Sequence, residues 1–227
     1  MGNITAVTIK EHMEKLGADL CQIAAVERFT KAPSGFHPDD IFPGCQSVVV
    51  FAVAIPKSIF CSSSQALYTF AHLKLFDKLN SIALTAAMEW EKHGISSVPV
   101  PASDPYEYWD ESRRRGQGIL SLKHAAVQAG LGKIGKNTLL LNEQFGNRLL
   151  LGAILLKVAV ETDQLSKVEG CLPNCRICLD SCPSQALDGI TIDQSKCRAI
   201  CGKSSEGGGF IYSCNMCRTR CPKHLGR

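Results

Sequence analysis

No apolar run in the sequence reaches the ~20 residues that a membrane-spanning helix needs. The longest, Ser47–Pro56 and Leu149–Val160, fall well short, and Lys157 interrupts the second. The first residues lack the apolar core of a secretory signal, because Lys10, Glu11 and Glu14 stand where that core belongs. No repeat of solenoid length is present. Disorder is not marked either: 45% of residues are hydrophobic and 20% charged, an ordinary balance for a globular protein. These absences lead us to expect a cytoplasmic protein with no membrane segment. Its 227 residues suffice for one large core or two modest domains.

Cysteine is missing from residues 62–170 and crowded beyond them. Of the 12 cysteines only Cys21, Cys45 and Cys61 come early, and nine lie between Cys171 and Cys221. The early three read as small buried hydrophobes. Charge divides at the same place: residues 1–165 hold 16 Lys and Arg against 16 Asp and Glu, while residues 166–227 hold nine against five. Two modules are therefore expected, 1–165 and 166–227.

The first module alternates helix and strand patterns without a regular βαβ repeat, which predicts a mixed α+β layer fold. Helical spacing covers Ala6–Leu16, Ser64–His93 and Ile119–Ala129, each followed by a glycine stop. The stripe Leu67, Phe70, Leu73, Phe76, Leu79, Ile82, Ala86 and Trp90 reads as core. Strands are expected at Leu20–Val26, Ser47–Ile55, Ser97–Val100, Thr138–Leu141 and Arg148–Val160. The run at Ser47 suits a strand buried on both faces. Residues 32–44 and 101–118 read as loops.

In the second module Cys175-x2-Cys178-x3-Cys182-Pro183 and Cys214-x2-Cys217-x3-Cys221-Pro222 repeat one element, with Cys171 before the first and Cys197 and Cys201 before the second. C-x2-C-x3-C-P is the core of the bacterial ferredoxin run, in which the last cysteine serves the other cluster. Paired zinc sites account for the two C-x2-C steps but not for two C-x3-C-P steps. Disulfides would need an oxidising compartment. The expectation is a ferredoxin-like domain with two [4Fe–4S] clusters. By the crossover rule Cys171, Cys175, Cys178 and Cys221 hold one; Cys182, Cys214, Cys217 and either Cys197 or Cys201 hold the other.

Gly130-Leu-Gly132-Lys-Ile-Gly135-Lys136-Asn137-Thr138 satisfies two phosphate-loop patterns on paper. Both require a strand before and a helix after, the reverse of the order expected here. Three glycines in six residues exceed a helix C-cap and permit close approach by a large ligand. We therefore expect a cofactor contact at this segment.

With these features in place, the chain resembles the epoxyqueuosine reductases, cobalamin-dependent iron–sulfur enzymes related to the reductive dehalogenases. The resemblance rests on Ile119–Leu155, centred on KHAAVQAGLGKIGKNTLL, followed by the paired cysteine runs. Phe42–Val50 and Asp193–Cys197 add to it. It implies a nitroreductase-like module holding cobalamin beside a ferredoxin-like double-cubane domain, with Gly130, Gly132, Gly135, Lys136, Asn137 and Thr138 lining the corrinoid site. It also implies Cys197, rather than Cys201, as the second cluster's ligand. No D-x-H pair offers a histidine to cobalt, as in the family.

The sequence departs from the family where its catalytic Asp would stand, which is Gly116, and where a second acidic residue would stand, which is Leu122. Tyr106, Tyr108, Asp110, Glu111, Lys123 and His124 are the nearby alternatives for a proton donor, and Arg113–Arg115 reads as a solvated face. The family's C-terminal helical-repeat domain has no counterpart here, which puts tRNA in doubt as a substrate.

The expected function is a cobalamin-dependent iron–sulfur reductase of a small molecule or modified base, supplied by a donor such as a ferredoxin or flavodoxin. The alternatives are an electron carrier or reductive activator of a corrinoid protein, and a flavin in the first module.

Overall fold

The computed structural model describes residues 4–112, 115–204 and 208–227. In chain order it begins with α1 (Ala6–Lys15), β1 (Leu20–Ala25), α2 (Pro38–Ile41), β2 (Ser47–Ala54), α3 (Gln65–Lys92) and β3 (Ser97–Val100). There follow β4 (Tyr108–Asp110), β5 (Arg115–Gln117), α4 (Leu122–Gln128), β6 (Lys133–Ile134), β7 (Leu140–Leu141) and β8 (Leu149–Leu156). The cysteine-rich end adds α5 (Ile177–Asp180), α6 (Gln194–Cys201), β9 (Gly202–Ser204), β10 (Phe210–Tyr212) and α7 (Met216–Thr219).

The central sheet has the order β1-β2-β8-β3, and every neighbouring pair is antiparallel. Side chains of a strand alternate between its faces, and here both faces are covered. Val49, Phe51 and Val53 pack with Ile9 and Met13 of α1 and with Leu79, Ile82, Ala86 and Trp90 of α3. Val48, Val50 and Ala52 pack on the other side with Ala125 and Ala126 of α4 and with Leu131 and Leu140. The result is a mixed α+β layer fold. Continuous apolar strands are the habit of parallel sheets; in this antiparallel one the second helical layer imposes the same demand. The ring of Phe51 lies over its cross-strand partner Gly152, where a Cβ would meet it at 2.4 Å.

Two expectations are corrected. The α3 stripe is core only in its second half: Leu79, Ile82, Ala86 and Trp90 are buried, whereas Leu67, Phe70 and Leu73 are exposed. A strict three-residue step drifts around a 3.6-residue helix, and the first turns bury Tyr68 and Thr69 instead. Residues 101–118, expected as a loop, contain the β4–β5 hairpin. These strands are three residues long and lack alternation, so no periodic signal marks them.

Two contacts join the upper part of the cysteine-rich end, α6 and β10, to the layers. The amide of Tyr212 in β10 donates to Thr69 Oγ1 on α3 at 2.9 Å. The Gln194 side chain on α6 pairs with both backbone groups of Gly116 in β5, donating and accepting at 3.1 Å. Among the described residues no helix is long and apolar enough to cross a membrane.

Candidate functional site

The two cysteine runs fold alike. Each places its middle cysteine on a one-turn helix, Cys178 on α5 and Cys217 on α7, and its last cysteine just past that helix, before the proline. The two short helices pack together, which lets each final cysteine reach the other set. Cys221 accordingly lines one pocket with Cys171, Cys175 and Cys178, closed by Asn137, Leu141, Leu172, Pro222 and Lys223. Cys182, from the first run, is near enough to Cys197 and Cys217 for its charge to act on both thiols, as that of Cys214 acts on Cys217.

Crowding shows in the thiols' proton affinities. Burial, then the neighbouring Cys171, Cys221 and Cys175, pushes Cys178 up. Burial also leads the rise of Cys217, with Cys214 and Cys182 adding to it and Arg218 opposing it. A hydrogen bond with Cys201, then burial, raises Cys197 far above an ordinary thiol. Cys182 is the exception. Burial works against its thiolate, but hydrogen bonds from the Ser184 side chain and from the amides of Ala186, Ser184 and Leu187 bring it below the ordinary value.

This donor set fits iron–sulfur clusters. Four thiols surround a shared gap, and backbone amides point at sulfur: Lys136 N to Cys171 Sγ at 3.3 Å and Ala186 N to Cys182 Sγ at 3.4 Å. Thiolates are the ligands of such clusters, and hydrogen bonds to their sulfurs tune them. Among the described residues no group of three or more His, Cys, Asp or Glu side chains meets at a single-ion site. Cys182, Cys217 and Cys201 all act on Cys197, and Cys201 also acts on Tyr68 and Tyr212. Cys21 and Cys45 are held protonated by burial, at about 12 and about 11; Cys61 is exposed.

The glycine segment lies between α4 and β7, and its strand β6 pairs with β7. A helix therefore precedes it and no helix follows, which is not the context of a phosphate loop. A Cβ on Gly130 would stand 2.1 Å from the Gln164 carbonyl oxygen, and one on Gly132 would stand 2.2 Å from that of Leu141. At Gly135 the obstacles are Asn137 Oδ1 and Leu141 Cδ1, both at 2.9 Å. The chain itself takes the space that a side chain on any of the three glycines would need.

Its polar groups turn toward the cysteines. Lys136 Nζ donates to the Cys175 carbonyl at 2.9 Å, and the buried Asn137 donates through Nδ2 to the Cys217 carbonyl at 2.9 Å. Thr138 is buried with φ 58°, and its carbonyl accepts from Lys123 Nζ at 2.7 Å. Burial, then Arg218, lowers the proton affinity of Lys123.

The candidate proton donors are scattered. Tyr106 stacks on Trp109, and its hydroxyl accepts from Arg198 Nη2 at 3.2 Å. Tyr108 leans on Phe36, Glu111 accepts from Trp109 Nε1, Ser112 donates to Asp110, and His124 shares a hydrogen bond with Ser121. Of the Arg113–Arg115 face, Arg113 and Arg114 lie outside the described residues. Arg218 and Asn147, both buried beside the thiols, escaped the sequence reading. Their only signal is Arg218's place inside the second cysteine run, where the first run has Leu179.

The fold is similar to that of epoxyqueuosine reductases and reductive dehalogenases. No protein-family model matches the chain. It is similar to the epoxyqueuosine reductase of Bacillus cereus, 26% identical over 215 residues that cover 84% of this chain and 51% of that protein. The enzyme of Staphylococcus aureus is 31% identical over 119 residues, 48% of this chain and 31% of that protein. The chain thus spans about half the length of the first of these relatives, or less.

Among solved structures, epoxyqueuosine reductase from Streptococcus thermophilus superposes with a TM-score of 0.65 at 21% identity, covering 97% of this chain and 67% of that one. The catabolic reductive dehalogenase NpRdhA gives 0.69 at 19% identity, covering 95% and 31%. Another similar fold, with a TM-score of 0.63 at 20% identity over 95% of this chain and 31% of that one, belongs to a reductive dehalogenase described in terms of B12-dependent dehalogenation.

Proposed function

We propose that this protein is an iron–sulfur oxidoreductase whose end, residues 166–227, is a ferredoxin-like domain with two [4Fe–4S] clusters. Cys171, Cys175, Cys178 and Cys221 hold the first, and Cys182, Cys197, Cys214 and Cys217 the second. The observation that carries this reading is the exchange of last cysteines, Cys221 lining the first pocket and Cys182 acting on Cys197 and Cys217. Residues 1–165 form a nitroreductase-like module beside which the electrons are delivered. Cobalamin is the acceptor that the likeness to a B12-dependent dehalogenase supports, and such a group supplies a strongly reducing metal centre when bound. In this reading Lys136 and Asn137 brace the clusters against the module, since their contacts run to Cys171, Cys175 and Cys217, and Gly130, Gly132, Gly135 and Thr138 shape the segment that carries them.

A second reading, an electron carrier or reductive activator of a corrinoid protein, is favoured by the filled space beside the three glycines. In it a partner protein, not a resident cofactor, takes the electrons. An epoxyqueuosine reductase has been crystallised with a tRNA stem loop. A modified base in tRNA is therefore a substrate to test here, beside small molecules.

The deciding experiment is anaerobic reconstitution with iron and sulfide, followed by a visible-spectrum titration with cobalamin. About eight irons with saturable one-to-one binding supports the reductase. The same iron content without a cobalamin response supports the carrier, and about four irons or fewer overturns the two-cluster reading.

A further inference from the structure

Arg218 is 5% exposed, and no carboxylate pairs with it among the described ion pairs. Its guanidinium donates through Nη1 to the Asn147 carbonyl and sits against the Tyr68 hydroxyl. Its own carbonyl accepts from Asn147 Nδ2 at 3.1 Å. These groups are neutral. The four carboxylates described in residues 166–227 are spent elsewhere: Asp180 pairs with Arg176, Asp188 holds the turn to Thr191, Asp193 caps α6, and Glu169 is exposed. Lys123 adds a second cation close by, bonded only to the Thr138 carbonyl in the described contacts.

A buried guanidinium without an anion is strongly unfavourable, so the arrangement calls for a negative centre. The second cysteine set can supply one, because Arg218 follows Cys217 directly on α7 and its charge acts on that thiol. A cluster held by four thiolates is an anion that gains one negative charge on reduction. A fixed cation beside it favours the reduced form, and burial keeps salt from screening the effect. The two runs differ at this position: Arg218 corresponds to Leu179, so the first set has no such cation in its own run.

Resting on the two-cluster reading, we propose that Arg218, assisted by Lys123, is the built-in counter-cation of the second cluster and raises that cluster's reduction potential. It is a tuning and positioning residue, in contact with neither substrate nor acceptor.

The test is an EPR-monitored redox titration of the reconstituted full chain, in which mediators supply and remove the single electron. Cys178→Ser and Cys214→Ser variants identify which signal belongs to which cluster. At the wild-type midpoint, Arg218→Met is expected to lower the reduced-to-oxidised ratio of the second cluster about tenfold. That corresponds to ~59 mV for a one-electron couple. The first cluster moves less, Arg218→Lys restores most of the shift, and the shift persists at high salt.

An unchanged second potential in Arg218→Met with both clusters loaded overturns the proposal. So does Arg218→Lys behaving like Arg218→Met, which would make the effect one of packing. If Arg218→Met does not retain the second cluster, Arg218→Gln and Lys123→Met take its place, and unchanged potentials in both overturn it. Wild-type protein with about four irons or a single EPR centre fails the two-cluster reading instead, a result that is separately visible.

Discussion

The ring of Tyr106 occupies the space that a side chain on Gly116 would need: a Cβ there would stand 2.9 Å from three of its carbons. Gly116 cannot retreat, because Gln194 holds both its amide and its carbonyl, and Tyr106 is tethered through its hydroxyl to Arg198. The guanidinium of Arg198 lies 4.9 Å from the Trp109 ring centre, so hairpin and α6 form one aromatic–cation assembly. A side chain at 116 is opposed by this assembly. Gly116→Asp is expected to cost about 1–3 kcal/mol in urea unfolding, the usual penalty of overpacking. Adding Tyr106→Ala to the same chain should recover most of that loss. Equal stability of Gly116→Asp and the parent would contradict the steric account.

His72 gives the fold an acid-side weakness. Burial, then the charge of Arg218, lowers its proton affinity to a pKa of about 3, against 6.5 unfolded, and its Nδ1 has no partner. Between these values the unfolded chain binds the proton and the folded chain does not, so unfolding free energy rises with pH across this window. The stabilising effect is complete above pH 6.5 and is lost progressively as pH falls toward 3. From pH 6.5 to pH 5 this amounts to about 2 kcal/mol. His72→Phe should flatten that limb in urea unfolding followed at several pH values, since Tyr68, Phe76 and Tyr212 already surround the position with rings. An unchanged slope would place the acid sensitivity elsewhere.

The legible parts of this fold are those whose signal is local. β2 and β8 announce themselves as apolar runs, α1 and α3 as periodic ones, and the cysteine runs as spacing repeated twice. The illegible parts depend on partners far away in sequence. The β4–β5 hairpin is held by Gln194, 78 residues from Gly116. Nothing near Gly130 and Gly132 in sequence shows that Gln164 and Leu141 pack beside them. Arg218 carries no sequence signal beyond its place after Cys217, and only Asn147 and Tyr68 around it show what it meets. Patterns of polarity show which residues turn inward, but not which of them meet.

Asn137 joins the glycine segment to the cysteine-rich end. It is buried, donates to the Cys217 carbonyl and accepts from the Leu139 amide at 3.2 Å. Asn137→Ala removes both bonds and leaves the Cys217 carbonyl without this donor. A loss of about 1–3 kcal/mol is expected, with faster release of iron to a chelator under anaerobic conditions. A Gly130→Ala variant separates bracing from ligand contact. Its Cβ collides with the Gln164 carbonyl at 2.1 Å, so it should destabilise the protein whether or not cobalamin is added. Destabilisation appearing only with cobalamin would return the glycine to a ligand-contact role.

The ninth cysteine of the tail supplies the sharpest test of the second ligand set. Cys197 and Cys201 lie one turn apart on α6 and share a hydrogen bond, so a single helix offers two thiols for one corner. The charges of Cys182 and Cys217 act on Cys197, and that of Cys201 acts on Tyr68 and Tyr212. If Cys197 is the ligand, Cys197→Ser should drop bound iron from about eight to about four per chain, and Cys201→Ser should leave it near eight. Cys201→Ser would still alter the hydrogen bonding behind Cys197, so a shifted EPR line shape at full iron content is the expected signature. The reverse pattern, with iron lost from Cys201→Ser alone, would move the ligand one turn along α6. Loss from neither single variant but from the double variant would mean that the two thiols substitute for each other at one corner.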